Sequence, residues 1–151
     1  MFLLLYSLDK VLAKNLIWAA GASTLASSAY IVFGSPHIPS AQPHRILFGY
    51  IIAMVCGYFL QFLSNDTTHL NYFYSNPNYQ RHVFEAAAAL SVGLSFILML
   101  LLRCSHPPAA GLAVVMVLEI SDFKAIAVIS LGALLLVLIR WIFAKQLRPL
   151  I

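Results

Sequence analysis

Four apolar segments of about 20 residues each dominate the sequence and commit it to a membrane. They cover residues 15–33, 46–63, 83–102 and 124–143. About 20 apolar residues are enough for a helix to cross the hydrocarbon core of a bilayer. Of the 151 residues, 62% are hydrophobic and only 9% are charged, which is more apolar surface than a soluble domain of this size can bury. The pattern therefore predicts an all-α integral membrane bundle of four transmembrane helices.

A further apolar segment, residues 108–119, is too short to cross the bilayer. As a helix, its apolar part is about 15 Å long, which is half the thickness of the hydrocarbon core. We therefore expect a re-entrant or half-depth helix between the third and fourth transmembrane helices.

The distribution of basic residues predicts how the chain is oriented. Cytoplasmic segments of membrane proteins carry an excess of Lys and Arg. If the short segment does not cross, one side holds Lys10, Lys14, Arg81, Arg140, Lys145 and Arg148, and the other holds Arg45, Arg103 and Lys124. The richer side is expected to be cytoplasmic and to contain both termini, with the protein in the inner (plasma) membrane of a bacterium.

The first fourteen residues begin with an apolar run and become basic at Lys10 and Lys14. A cleaved signal peptide has the reverse order, with its positive charge before the apolar run. Residues 1–14 are therefore expected to form an amphipathic helix at the membrane interface. Residues 15–151 then form a single transmembrane domain. A frayed hydrophobic terminus is the alternative for the first fourteen residues.

Two polar, proline-containing breaks interrupt the apolar pattern, at residues 35–43 (SPHIPSAQP) and 105–111 (SHPPAAG). Non-helical chain at membrane depth is tolerated only where it is buried in protein or lines a cavity. Each break follows one apolar segment and precedes another, which indicates a weak internal repeat. Both breaks would open to the same side, as in a parallel repeat. Chance similarity between two proline-containing loops is the alternative.

The two breaks resemble the signature stretches of the HPP family of integral membrane proteins, which is named for its His-Pro-Pro motif. The resemblance rests on residues 33–43, on Gly49 after them, and on residues 106–111 (HPPAAG), and it extends over nearly the whole chain. Family members commonly read His-Pro-Pro-Ala-Gly-Ala, so an extra alanine here shifts Gly111 by one position. The resemblance implies a small four-helix membrane protein. Plant and cyanobacterial members are associated with nitrite transport, which makes nitrite or a similar small oxyanion the expected substrate.

The second break also has the chemistry of an anion site. A helix N-terminus exposes unpaired N–H groups and a partial positive charge. Pro107 and Pro108 lack an N–H group, so the expected backbone donors follow them, and a serine hydroxyl precedes them as donor or cap. The first break would add polar side chains. The predicted substrate-binding residues are Ser35, His37, Ser40, Gln42, Arg45, Ser105, His106, Ala109, Ala110 and Gly111.

Several of these residues have an alternative structural role. The planar guanidinium of Arg45 suits a carboxylate-like anion, but the side chain could equally anchor the chain at the interface. His106 could bind the anion or relay protons, or it could be a neutral structural histidine bonded to a neighbouring carbonyl. His37 and His44 are typical of solvated loops, and Gln42 is typical of a side chain that caps its own loop.

The acidic residues argue against a cation pathway, which usually places a carboxylate within a transmembrane helix. Four of them fall at segment ends and in loops: Asp9, Asp66, Glu119 and Asp122. Glu85 lies just inside the third apolar segment and is, with His106, a candidate proton relay. The alternative is that Glu85 lies in the first helical turn, where a carboxylate complements the helix dipole.

Three classes of function compete. A small-anion transporter or channel explains the breaks and the cations beside them. A structural or regulatory membrane subunit is the second class, in which the prolines merely end helices. A metal site or metal-dependent membrane enzyme built from His37, His44 and His106 is the third, although no paired spacing fixes these ligands. We expect no enzyme activity, no cofactor and no metal. The expected partners are a small inorganic anion, the lipid bilayer and further copies of the chain in a homo-oligomer; the thin spread of charge excludes nucleic acid.

Overall fold

The structure is a computed structural model that describes residues 22–68, 77–119 and 123–143. The predicted interfacial helix at residues 1–14 lies outside these ranges. The described residues form five helices, so the prediction of an all-α fold is confirmed. They are α1 (Ala22–Gly34), α2 (Pro43–Thr68), α3 (Pro77–Leu101), α4 (Ala110–Glu119) and α5 (Phe123–Ile142).

Two of the helices, α2 and α3, are long and apolar enough to cross a membrane. Their spans run over Pro43–Asn65 and His82–Leu101, with mean hydropathies of 2.0 and 2.1. Both helices begin earlier than their apolar segments, because a proline at the first helical position fits the helix and lacks only an N–H that would be unpaired there. The apolar stretches described for the other helices are shorter: Ala22–Gly34, Pro107–Leu118 and Ile129–Ile142.

The two breaks have the same architecture. After α1, the first break forms a 3₁₀ turn over Pro39–Ala41 and then enters α2. After α3, the second break forms a 3₁₀ turn over Pro107–Ala109 and then enters α4. Each turn has a proline among its first positions. This order of elements is the one that the internal repeat predicts, and α5 has no counterpart in it.

Arg103 ends α3 in a left-handed conformation, with φ 54°. The N–H of Cys104 donates to the carbonyl of Met99 (2.9 Å), and that of Arg103 donates to the carbonyl of Leu100 (3.1 Å). This pair of bonds is a Schellman motif, which usually places glycine at the left-handed position. An arginine there costs about 1 kcal/mol of backbone strain. The motif turns the chain back towards the bundle immediately before His106.

The short helix α4 packs against α2 and runs parallel to it. A Cβ placed on Gly49 would lie 2.8 Å from the Cβ of His106, and one placed on Gly57 would lie 2.7 Å from the carbonyl oxygen of Ala113. Contacts therefore advance along both helices in the same direction. Gly49 is six residues into α2, so the second break packs against α2 about 9 Å along the helix axis from the start of that helix.

The last helix returns to the end of the bundle where both breaks lie, which we call the break end. The Ser130 hydroxyl of α5 donates to Met54 Sδ at 3.5 Å. Further along α5, Arg140 Nη2 donates to the carbonyl oxygen of Pro36, in the first break, at 2.8 Å. Helix α5 is therefore antiparallel to α2.

The structure places Arg140 at a different end of the bundle from the one that the sequence predicts. A half-depth α4 that returned to the break end would have placed Arg140 at the opposite end, away from Arg45 and Arg103. Instead, α4 runs alongside α2 away from the break end until Val117 packs near Leu60. Helix α5 then runs back towards the break end. All three arginines therefore lie at the break end, and Arg140 is on the same side as Arg45 and Arg103 rather than opposite them. The described chain starts and finishes at opposite ends of the bundle.

Cysteine labelling tests this arrangement. Because α5 ends at the break end, a membrane-impermeant thiol reagent should label H44C and F143C from the same side of a sealed vesicle, and H82C from the other side. The two native thiols, Cys56 and Cys104, are buried, so they should add little background. Labelling of F143C together with H82C would contradict the direction of α5.

Candidate functional site

The imidazole of His106 joins the two breaks at the centre of the bundle. Its side chain is fully buried. Its Nδ1 lies 2.8 Å from the carbonyl oxygen of Ser40, in the first break. Because a carbonyl oxygen can only accept, Nδ1 carries a proton and donates it. One residue of the His-Pro-Pro motif therefore holds the backbone of the other break.

The other ring nitrogen of His106 meets a buried hydroxyl cluster. Nε2 lies 2.8 Å from the hydroxyl of Ser28 on α1. That oxygen also lies 3.0 Å from the hydroxyl of Tyr50 on α2 and 2.9 Å from the carbonyl oxygen of Thr24. Ser28 and Tyr50 are both buried. The cluster therefore connects α1, α2 and both breaks, and we call it the His106 network.

The His106 network can satisfy either protonation state of the imidazole. When the ring is neutral, the Ser28 hydroxyl donates to Nε2 and Tyr50 donates to Ser28. When the ring is charged, Nε2 donates to Ser28, whose own proton turns to the carbonyl oxygen of Thr24. Both arrangements use the distances already present, so rotation of one hydroxyl is enough to keep the ring hydrogen-bonded in either protonation state.

Close backbone packing positions the histidine. The absence of a side chain at Gly49 lets the Cβ of His106 approach α2. In the first turn of α4, a Cβ placed on Gly111 would lie 2.7 Å from Cγ2 of Thr24 on α1. Glycine at these two positions thus permits the break to lie between α1 and α2, where a larger residue would push it out.

The predicted cradle of free backbone amides does not form at the second break. The N–H of Ala109 donates to the carbonyl of His106 at 3.0 Å, and that of Ala110 is bonded to the carbonyls of Pro107 and Pro108. The 3₁₀ turn uses these donors internally because prolines leave the turn few N–H groups of its own. The expectation that Ala109 and Ala110 offer unpaired donors is therefore wrong for this structure. The methyl group of Thr24 packs against the backbone of Gly111.

The side chains predicted from the first break lie nearer the surface. Arg45 is half-buried, and its Nε donates to Oε1 of Gln42, which is exposed, at 3.2 Å. His37 is exposed, and Ser35 and Ser105 are half-buried. Of the first-break residues, Ser40 is the one whose hydrogen bond reaches His106, and it does so through its backbone.

The histidines proposed as metal ligands are not assembled. His37 and His44 are exposed, whereas His106 is buried. Within the described ranges, no group of three or more His, Cys, Asp or Glu side chains is arranged to hold a metal ion.

Glu85 occupies neither of its predicted roles in this conformation. Helix α3 begins at Pro77 and has no acidic residue in its first turn, so the interpretation that Glu85 complements the helix dipole is wrong. Its exposed carboxylate lies 3.3 Å from Nδ1 of His82. Sixteen residues of α3, about 24 Å, separate Glu85 from the end of the helix that leads to His106. A direct relay between the two is not formed.

Among the described residues, the break end carries only positive charge. The arginine side chains that the structure describes, Arg45, Arg103 and Arg140, all lie there, and none of the described residues there is acidic. The other end carries residues of both signs: Asp66 in the last turn of α2 and Glu119 at the end of α4, with Arg81 near the start of α3 and Lys124 near the start of α5. A cavity of about 310 Å³ opens at the break end, lined by His44, Phe48, Leu102, Arg103 and Cys104.

Three polar residues of the site were not predicted from the sequence: Thr24, Ser28 and Tyr50. Each lies within an apolar segment, where buried polar side chains are expensive and usually functional or structurally paired. That rule could have selected them. Nothing in the sequence shows that they meet His106, because Ser28 and His106 are 78 positions apart.

Apolar helices around a buried polar centre, with a basic end, define an integral membrane helical protein. The chain belongs to the HPP family, because it matches the family described as "HPP, transmembrane region" over residues 1–149. This confirms the resemblance of the two breaks to that family.

Curated relatives are membrane proteins of Dictyostelium discoideum. One transmembrane protein is 31% identical over 121 residues, which is 76% of this chain and 38% of the relative. Another is 28% identical over 141 residues, which is 88% of this chain and 40% of the relative. The chain thus spans about two fifths of the length of these relatives. No solved structure matches the chain significantly.

Proposed function

We propose that this protein transports a small monovalent anion, with nitrite as the first candidate. The observation that carries the proposal is the positive charge of the break end, which presents arginines with no acidic residue among the described residues there. Such an end attracts anions and repels cations. A guanidinium also matches the planar shape of a two-oxygen anion such as nitrite.

The anion would enter between the two breaks. His37 and Gln42 of the first break are exposed there, and Arg45, at the start of α2, is half-buried and bonded to Gln42. The serines at positions 35 and 105 border them. Passage requires the breaks to separate, since His106 now bonds the carbonyl of Ser40. The hydroxyls of Ser28 and Tyr50 lie next to His106. They could supply the hydrogen bonds that an anion loses when it leaves water. His106 would then serve as both gate and donor.

Assembly and location belong to the same proposal. We assign the protein to a bacterial inner membrane. We also expect a homo-oligomer, because the five helices that the structure describes form a thin bundle. An apolar groove of about 330 Å³ between α1 and α5, which includes the small residues Ala26, Ala29 and Gly132, would allow close approach of a second helix.

One observation favours a second candidate, a structural or regulatory subunit that transports nothing. The His106 network is fully hydrogen-bonded in this conformation, and a motif that only locks two breaks together would look the same. In that case the arginines would be interface anchors.

Uptake by proteoliposomes distinguishes these candidates. Purified protein should give saturable uptake of nitrite, and R45Q should reduce the apparent affinity by about tenfold, because it removes a charged hydrogen-bond donor. G93A is a matched folding control, since a Cβ placed on Gly93 meets nothing within 4 Å. A pH series then reports whether a titratable group such as His106 governs the rate. Uptake no faster than in empty vesicles would favour the structural subunit.

A further inference from the structure

Arg140 is an incompletely satisfied cation placed against the first break. Its Nη2 donates to the carbonyl oxygen of Pro36 at 2.8 Å. Its Nε is enclosed by protein and, among the described residues, has no hydrogen-bond partner. A buried N–H group of a charged side chain that is left unpaired is costly, so natural proteins rarely retain one without a partner.

None of the described carboxylates is positioned to neutralise this guanidinium. Asp66 and Glu119 belong to the far ends of α2 and α4, and the carboxylate of Glu85 lies beside His82 in the early part of α3. Within the described ranges, the break end holds only basic and neutral residues. Among those residues, the partner of the Arg140 side chain is therefore the backbone carbonyl of Pro36.

Arg140 differs from the arginine that the sequence suggested. The Nε of Arg45 is already bonded to Gln42, a neighbour on the exposed surface. Arg140 instead comes from a different helix and is held in place by the break itself. The carbonyl of Pro36 orients the guanidinium, and Pro36 is fully buried, so the contact is made by a rigid part of the chain. A preorganised donor loses less entropy on binding than a flexible one.

We propose that the guanidinium of Arg140, fixed against the first break by Pro36, is the cationic element of a binding site for a small monovalent oxyanion. When the breaks separate, as the proposed transport function requires, Nε is uncovered, and the anion accepts from it and completes the hydrogen bonding of the side chain. The class of ligand follows from the proposed transport function and from the planar fork of the guanidinium. The site lies where α5 meets the first break, at the contact of Arg140 with the carbonyl of Pro36.

Anion-dependent thermal stability tests the site without requiring transport. The full chain in detergent is heated with increasing sodium nitrite or sodium formate, at constant ionic strength set with sodium gluconate, and the remaining monodisperse protein is measured by size exclusion. A ligand that binds only the folded state raises its midpoint temperature. We expect a saturable rise for the wild type, no rise for R140M, and an apparent affinity at least about tenfold weaker for R140K, which keeps the charge but loses the fork.

The matched control is G93A, which leaves all three described arginines in place and adds a Cβ that meets nothing within 4 Å. Its anion-dependent rise should match that of the wild type. If R140M does not fold, R140K carries the test, because its ammonium can still donate to the carbonyl of Pro36.

Equal rises in the wild type and R140K, or no rise in the wild type, would overturn the Arg140 site. Nitrite uptake is measured separately on the same preparations. Uptake together with an anion response that ignores Arg140 would leave the transport function and remove this site. An Arg140-dependent response without uptake would retain the site and remove the transport function.

Discussion

Replacing His106 with alanine should destabilise the folded protein by about 3 kcal/mol or more. The change removes a fully buried side chain, and large-to-small changes in cores typically cost 2–5 kcal/mol for aliphatic residues, as an order of magnitude. It also leaves the carbonyl of Ser40 without its His106 partner, and a buried group left unpaired costs about 1–3 kcal/mol. The breaks would lose their direct connection.

Thermal unfolding of the detergent-solubilised protein measures this effect. The reactivity of the buried thiols Cys56 and Cys104 towards a maleimide reports the loss of structure. H44A is the matched control, because it removes an exposed histidine near the same end and should change stability by less than about 0.5 kcal/mol. Similar midpoint temperatures for H106A and H44A would show that the His106 network does not hold the breaks together.

Replacing Gly57 with alanine should cost about 2–3 kcal/mol. The new Cβ would overlap the Cβ of Met116 and lie 2.7 Å from the carbonyl oxygen of Ala113. Backbone cannot move aside as a flexible side chain can, so α4 must shift away from α2; overpacking of this kind typically costs about 1–3 kcal/mol. Because α4 follows directly from the second break, the shift should also disturb His106.

Gly93 provides the comparison for Gly57. It lies in α3, and a Cβ placed there meets no atom within 4 Å. G93A should therefore be neutral or stabilising by about 0.5–1 kcal/mol, since alanine favours the helix over glycine. The same thiol-reactivity assay separates the two variants. If G57A were as stable as G93A, the close packing of α4 on α2 would be refuted.

The sequence was sufficient for the features that depend on local pattern. Long apolar segments identified the helices, and the two breaks identified the family. Proline at position 77 could have moved the start of α3 earlier, which would have removed Glu85 from the first turn. The loss of free amides at Ala109 and Ala110 was harder to foresee, because it depends on the chain forming a 3₁₀ turn directly after the prolines rather than an open helix start.

The remaining features depend on contacts between distant residues. Arg140 and Pro36 are 104 positions apart, and no pattern in either segment indicates that they meet. The direction of α5 follows from that contact, and the predicted placement of Arg140 opposite Arg45 and Arg103 was wrong because α4 was taken as returning to its starting side. The His106 network likewise unites four segments, each of which reads alone as ordinary apolar helix or loop.

The most direct test of the account is the ion selectivity of the wild-type protein. Uptake of nitrite and of rubidium is measured in the same proteoliposomes against empty vesicles. With arginines and no described carboxylates at the break end, we predict saturable nitrite uptake that nitrate and formate inhibit, and rubidium uptake no faster than in empty vesicles. Rubidium uptake through the protein, or the absence of nitrite uptake in correctly folded protein, would contradict the assignment as an anion transporter.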